Sequence, residues 1–438
     1  MTEITKPQPT ALARWIILLL ISLAMFGNYY VYDSISPLAD VLKTQLGFSD
    51  SNLGLLNAIY SFPNIIMVLI GGIIIDKIGT RKSVLLFTFF VFAGALFSSL
   101  WGNIWTMASG RLIFGLGAES MIVAITTIVA RWFKGKELSF AFGLNLTVAR
   151  LGSFFALNSP SWGRAFYENW QTPMFLSVFA SLMAVLFIVL YFLLDTKYSR
   201  IYELPKEGNQ DKVVISEVFR FNAAFWFISA LCVTFYSAMF PFQTFAIKYF
   251  QEAHGTTREV GGNLSSLLTL AAMFFTPLFG LLADKIGKRA YLMMIGSLLI
   301  IPVYLIMAYK IDLATPLGLS GNIIINIEFF DIHSVIPLYL VIPMSIMGLA
   351  FSLVPAVMWP SVALVVNAEK LGTAYGLMTM IQNIGLFSFN IIIGLANDFS
   401  SASATNPQGY NAGMWIFSIL GFLGLFFAIM LKRSSKVL

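Results

Sequence analysis

Polar positions break this chain into twelve apolar stretches, at residues 15–42, 50–75, 83–101, 104–131, 138–162, 171–194, 222–248, 259–283, 290–309, 335–366, 371–397 and 411–431. A bilayer is crossed by a helix of about 20 apolar residues. Lipid offers no partner for an open strand edge, so each stretch is expected to be helical. The pattern predicts an all-α membrane protein with twelve transmembrane helices. One polar interval is long. Residues 195–221 hold five basic and five acidic residues together with Pro205, Gly208, Asn209 and Gln210. That composition reads as a solvated linker, with room for a short amphipathic helix near 213–220. The expected division is a six-helix bundle over 1–194, a linker over 195–221 and a second six-helix bundle over 222–438.

The two halves repeat each other. GGIIIDKIGTRK at 71–82 returns as GLLADKIGKR at 280–289, which places Asp76 and Asp284 208 positions apart. Each copy ends one apolar stretch and precedes the next, so the same hairpin is built twice. Internal repeats of this kind build many secondary transporters. A second echo lies deeper. Ala141-Phe-Gly-Leu144 matches Ala374-Tyr-Gly-Leu377, and in that register Arg150 falls opposite Asn383 at an offset of 233. The extra 25 positions point to an insertion, which residues 311–334 supply as a loop between the ninth and tenth stretches. Its segment 322–332 fits a small hairpin, although a plain surface loop is the expectation. Gly72 and Gly280 are expected to allow close helix approach. Asp76 and Asp284 can pair with basic residues or cap a neighbouring helix.

Composition supports the membrane reading: 58% of residues are hydrophobic and 11% charged, against about a quarter charged in soluble domains. The first stretch is not a cleavable signal, since it runs straight into Tyr29, Tyr30, Tyr32 and Asp33. The net charge of +6 reports topology rather than nucleic-acid binding. With the N-terminus inside, 20 of the 27 Lys and Arg residues fall on the cytoplasmic side and five (Lys43, Arg164, Lys248, Arg258 and Lys310) on the outer side. That bias places both termini in the cytoplasm. Cys232 is the only cysteine, so the chain forms no internal disulfide and no cysteine metal site. His254 and His333 fall in outer loops as solvated residues, and no metal or cofactor is expected. No nucleotide-binding loop or nucleophile–base pair appears, which argues against an enzyme or an ATP-driven pump.

Charges inside the membrane are costly and usually functional. Glu119 lies 12 residues before Arg131, and Arg150 lies 13 residues after Glu137. At 1.5 Å per residue both sit roughly 18–20 Å from the cytoplasmic end, near mid-membrane. Opposite charges at one depth on consecutive helices point to a shared polar cavity, or else to an ion pair pinning the two helices; the pair can also close when empty and open around a ligand. A net-neutral pair suits a ligand with one charge of each sign, whereas a lone arginine suits a simple anion. Glu119 is also a candidate for proton coupling. Asp33 sits towards the outer end of the first helix, placed to gate, to titrate or to face water. Gln243, Thr244, Gln382, Asn383 and Asn390 offer neutral partners in the second half, as ligand or packing contacts. Trp359-Pro360 marks an expected kink or break in the tenth helix.

The duplicated hairpin resembles that of the major facilitator superfamily. Arg111-Leu-Ile-Phe-Gly-Leu-Gly117 is similar to that superfamily's fourth-helix Arg-x-x-x-Gly-x-Gly motif, whose arginine lies on the inner face of the first bundle. Longer stretches resemble its lysosomal dipeptide-transporting branch: GRLIFGLGAES at 110–120, WFKGKEL at 132–138, FGLNLTVARLGS at 142–153, FGLLADKIGK at 279–288 and LGTAYGLMTMIQNIG at 371–385. The resemblance implies facilitated movement of dipeptides, with Glu119 holding a peptide amino terminus and Arg150 a peptide carboxylate. The 311–334 insert departs from the lysosomal members, and the N-terminal tail shows no dileucine sorting signal. Asn145-Leu-Thr147 and Asn263-Leu-Ser265 fit the glycosylation pattern but lie within predicted helices. The chain therefore reads as a prokaryotic relative in a plasma or bacterial inner membrane, monomeric, with no accessory subunit evident.

These observations converge on an alternating-access carrier of small zwitterionic peptides. Substrate binding is assigned to Arg150, Glu119, Tyr29, Tyr30, Asn145 and Asn383, and gating or coupling to Asp33, Arg111, Asp76 and Asp284. Two other readings stand beside it: an organic-anion or monocarboxylate carrier using Arg150 or Arg111, and a non-transporting sensor or scaffold. Apart from substrate, the lipid bilayer is the expected partner.

Overall fold

A computed structural model of the chain describes residues 7–133, 137–204, 221–319, 321–327, 332–367 and 370–435, apart from the side chains at 68, 69, 139, 325, 327, 332 and 333. The expected helix near 213–220 lies outside the described residues. The first half comprises α1 (Ala11–Asp33), α2 (Ala39–Leu46), α3 (Asp50–Ile78), α4 (Thr80–Leu100), α5 (Ile104–Phe133), α6 (Leu138–Leu157), α7 (Ser159–Trp162) and α8 (Gln171–Ile201). The second comprises α9 (Ala223–His254), α10 (Arg258–Ile286), α11 (Arg289–Ala308), a hairpin of β1 (Asn322–Ile327) and β2 (Ile332–Pro337), then α12 (Leu338–Val365), α13 (Leu371–Phe399) and α14 (Asn411–Ser434). Among the described residues, eleven spans are long and apolar enough to cross a membrane. The twelfth is α3, which bends by 57° between Asp50–Met67 and Ile70–Ile78. The chain is an integral, multi-pass membrane protein.

The first span is not one straight helix. It ends at Asp33, turns through Ser36–Leu38 with Pro37, and resumes as α2. The insert forms a hairpin rather than a plain loop, with Asn322 paired to Pro337 and Ile327 to Ile332. Its run of β-branched residues favours the extended backbone. It is the exception to the all-α expectation among the described elements. The tenth span continues unbroken through Pro360 to Val365, so no break occurs there.

Packing shows the repeat in three dimensions. Within the first half α1 packs on α6 and α8, and α5 on α3 and α4; within the second, α9 packs on α13 and α14, and α10 on α12. The halves then exchange equivalent elements: α3 packs on α13 and α10 on α6. Buried apolar residues form two clusters. One lies wholly within the first half, around Ile21, Phe87, Phe114 and Ile125. The other fills the second half and takes in Ile35, Leu38, Leu42, Leu53 and Leu56 from the first. The apolar interior is thus continuous between the halves at the face away from the termini, called here the far face.

Candidate functional site

Arg150 and Glu119 open onto the same cavity, of about 250 Å³, between the two halves. The first half contributes Asn28, Tyr29, Tyr32 and Asp33 of α1, Tyr60 of α3, Glu119 of α5, and Arg150 and Ser153 of α6. The second contributes Tyr236, Phe240 and Gln243 of α9, Trp359 of α12, and Thr379 and Gln382 of α13. Positions 28, 29, 32 and 33 recur with the helical period and form one face of α1.

The two charges do not pair with each other. Glu119 Oε1 accepts a hydrogen bond of 2.9 Å from the Tyr60 hydroxyl. The Arg150 guanidinium lies between two aromatic rings, 5.5 Å from the centre of Tyr29 and 5.5 Å from that of Phe351. Among the described residues it makes no ion pair or hydrogen bond, so its five N–H donors remain available. Cation–π contact steadies the charge without occupying those donors. Asp33, the last residue of α1 and 9% exposed, adds a second carboxyl group to the wall. Trp359 Nε1 donates to the Tyr236 hydroxyl at 2.9 Å, which fixes two walls of the second half against each other.

Several candidate residues lie elsewhere. Arg111 is 2% exposed and gives its donors to the carbonyls of Val31 (3.0 Å), Tyr32 (3.3 Å) and Leu56 (3.2 Å) and to Asn57 Oδ1 (3.2 Å). The Val31 and Tyr32 carbonyls belong to the last turn of α1, where intrahelical partners run out. Arg111 therefore splints the break between α1 and α2 and does not line the cavity. Tyr30 points away from the cavity face and stacks on Phe26, 6.3 Å between ring centres. Asn145 donates to Ser22 Oγ at 2.9 Å and clasps α6 to α1. Asn383 turns back to the Thr379 carbonyl at 3.0 Å. Thr244 and Asn390 bond each other at 2.9 Å, joining α9 to α13. Gln243 and Gln382 do reach the cavity. Tyr60 and Ser153 were not signalled by the sequence: each is a common helix residue whose role depends on the partner it faces.

The hairpin motifs are asymmetric. Both aspartates are exposed; Asp284 pairs with Arg289 in its own hairpin at 2.5 Å, and no such pairing is seen for Asp76 among the described residues. The close approach expected at Gly280 is absent, since a Cβ there would meet nothing within 4 Å; in the first copy it is Gly71, the neighbour of the expected Gly72, that packs on Ser120. His254 is not a solvated loop residue. It ends α9, with its ring nitrogens 3.0 Å from the Tyr249 hydroxyl and 3.2 Å from the Tyr339 hydroxyl.

The far face holds the other group of charges. Lys248, counted on the outer side at the end of the stretch 222–248, is a fully buried residue of α9, drawn inside by a pairing with Asp50. Asn397 donates to the same carboxylate at 2.9 Å. Lys43 and Glu252 pair at 3.0 Å, and Arg258 holds Asp40 through two bonds of 3.0 and 2.6 Å. Each of these contacts joins one half to the other.

Comparison with known proteins agrees with this architecture. The family model described as Major Facilitator Superfamily matches residues 21–325 and 242–437. The chain is 30% identical over 404 residues to the lysosomal dipeptide transporter MFSD1 of Homo sapiens, covering 89% of this chain and 81% of that protein. Among solved structures, a bacterial homologue of the human lysosomal transporter Spinster, in an inward-facing and occupied conformation, aligns with a TM-score of 0.73 at 14% identity over 98% of both chains. The nucleoside transporter NupG aligns with a TM-score of 0.71 at 14% identity, over 96% of this chain and 99% of that one. In sequence and in fold, the chain belongs to the Major Facilitator Superfamily and is a membrane transporter.

Proposed function

We propose that this transporter carries small zwitterionic peptides, dipeptides above all, by alternating access. The observation that carries the reading is an unpaired Arg150 guanidinium and a Glu119 carboxyl group on one cavity of about 250 Å³. Arg150 receives the peptide carboxylate, for which a planar fork of donors is the natural partner. Glu119, steadied by Tyr60, receives the amino terminus. Tyr29 stacks on Arg150 and Gln243 and Gln382 offer hydrogen bonds to the peptide group. The similarity to MFSD1, named a dipeptide transporter, supports the same reading.

The organic-anion alternative fits the cavity less well. Arg111 lies outside the cavity, bonded to three backbone carbonyls and Asn57, which leaves Arg150 as the cavity's cation beside two carboxyl groups, Glu119 and Asp33. Asp33 and Arg111, at the break in the first span, serve gating or coupling, and the hairpins of Asp76 and Asp284 latch the termini face when that face closes. The Lys and Arg bias puts the termini in the cytoplasm of a cell bounded by this membrane, plasma or bacterial inner, with the protein acting as a monomer.

The test is flux in proteoliposomes of purified protein, without an imposed pH gradient, comparing a neutral dipeptide with a monocarboxylate. Dipeptide flux is expected. Arg150→Ala and Glu119→Gln should each abolish it while the protein stays folded and inserted. Flux of the monocarboxylate alone would establish the organic-anion reading instead.

A further inference from the structure

Arg150 does not line one chamber only. A second cavity, of about 320 Å³, adjoins the first and shares three residues with it: Arg150, Tyr236 and Trp359. The two rings around the guanidinium lie on opposite sides of this boundary. Tyr29 lines the first cavity and Phe351 the second. The second cavity also differs in chemistry. Its wall is mostly apolar, with Leu146, Ala272, Met273, Pro277, Phe351 and Pro355, and Arg150 is its one charged residue among the described lining.

We infer that the second chamber is a side-chain subsite for the carboxy-terminal residue of the peptide. This rests on the peptide reading above. In a dipeptide the carbon bearing the second side chain is bonded directly to the carboxylate carbon. A carboxylate on Arg150 therefore starts that side chain at the mouth of the apolar chamber. The amino terminus on Glu119 keeps the first residue in the polar, aromatic chamber. The site thus reads the order of the two residues and favours a large apolar residue in second place. Burial of apolar area supplies the selectivity, and an extra methylene in such a pocket is worth about 10–200-fold.

A pair of isomers isolates this effect. Ala-Leu and Leu-Ala have the same atoms and the same overall hydrophobicity, and they differ in which side chain neighbours the carboxylate. Each is used as a competitor of labelled Ala-Ala flux in proteoliposomes. Ala-Leu should compete at least about tenfold more strongly than Leu-Ala. Gly143 lines the second chamber, and a Cβ added there meets nothing within 4 Å. Gly143→Phe has room for its Cβ and should place its ring in the chamber, bringing the ratio of the isomers to about one. Met273→Ala should enlarge the chamber and move the optimum from Ala-Leu to Ala-Phe. Equal competition by the two isomers of the wild-type protein, or a preference for Leu-Ala, overturns the subsite while leaving dipeptide transport standing. If neither isomer competes and a monocarboxylate does, the peptide reading itself falls and the subsite with it.

Discussion

The two faces of the molecule use charge in opposite ways. On the far face, ion pairs join one half to the other: Asp50 to Lys248, Lys43 to Glu252, and Asp40 to Arg258. At the termini face, the ion pairs identified stay within one half. Arg81 reaches Asp195 at 2.7 Å, Arg14 reaches Glu137 at 3.1 Å and Arg289 reaches Asp284 at 2.5 Å. Glycines follow the same division. A Cβ at Gly54 would come within 2.3 Å of the Asn390 carbonyl oxygen, and one at Gly394 within 2.5 Å of the Asp50 carbonyl oxygen. These positions let α3 and α13 cross in contact at the far face. At Gly280 and Gly143, towards the termini face, a Cβ would meet nothing. The difference teaches where the halves are clasped: the far face is a closed seam of charge, apolar packing and small residues, and the termini face is braced half by half.

The seam should break most severely at its buried charge. Lys248→Met leaves Asp50 with Asn397 as its remaining side-chain partner, and loss of one member of a buried pair costs about 3–5 kcal/mol. The expected outcome is a lower Tm together with faster labelling of a far-face cysteine by a membrane-impermeant maleimide. Combining it with Asp50→Asn should cost less than the two single changes summed, because the double variant strands no charge. Next in size is the small-residue crossing. Gly54→Ala should destabilise by about 1–3 kcal/mol through overpacking, while Gly280→Ala should leave Tm unchanged or slightly raised. Equal losses at both positions would erase the proposed difference between the faces. Smaller effects belong to the pairs nearer the surface. Arg258→Gln, at a part-buried two-bond pair whose side chains are 20% and 22% exposed, should cost about 1–2 kcal/mol and weaken only partly in high salt. Asp284→Asn, at a carboxylate 68% exposed, should change stability by less than about 0.5 kcal/mol.

Sequence revealed some of this well and some of it poorly, for physical reasons. The twelve spans stand out because each must be apolar over its full length. Glu119 and Arg150 stand out because charge in hydrocarbon is too costly to persist without a use. The face of each helix that turns inward does not stand out, since core-facing and lipid-facing positions are both apolar. That is why Tyr30, Asn145 and Asn383 were expected at the cavity, while Tyr60 and Ser153 were not. The seam was hidden for another reason. Asp50 and Lys248 are 198 positions apart, and each alone resembles an ordinary charge at the end of a span. The hairpin insert was the converse case: β-branched residues carried its signal, but short strands compete weakly with the expectation of a loop.

The start of α3 carries a consequence for how the seam opens. Its first two amides, those of Asp50 and Ser51, donate to the Asp398 carboxylate of the other half at 2.9 and 2.8 Å. Its third, that of Asn52, donates to Ser49 Oγ within its own capping box at 3.2 Å. Parting the halves frees the first two amides and leaves the third held, so the helix stays wound while two hydrogens become exchangeable with water. Neighbouring amides in one turn of backbone thus form an internal clock and its reference: deuterium uptake at 50 and 51, measured against 52, counts how often the far face opens.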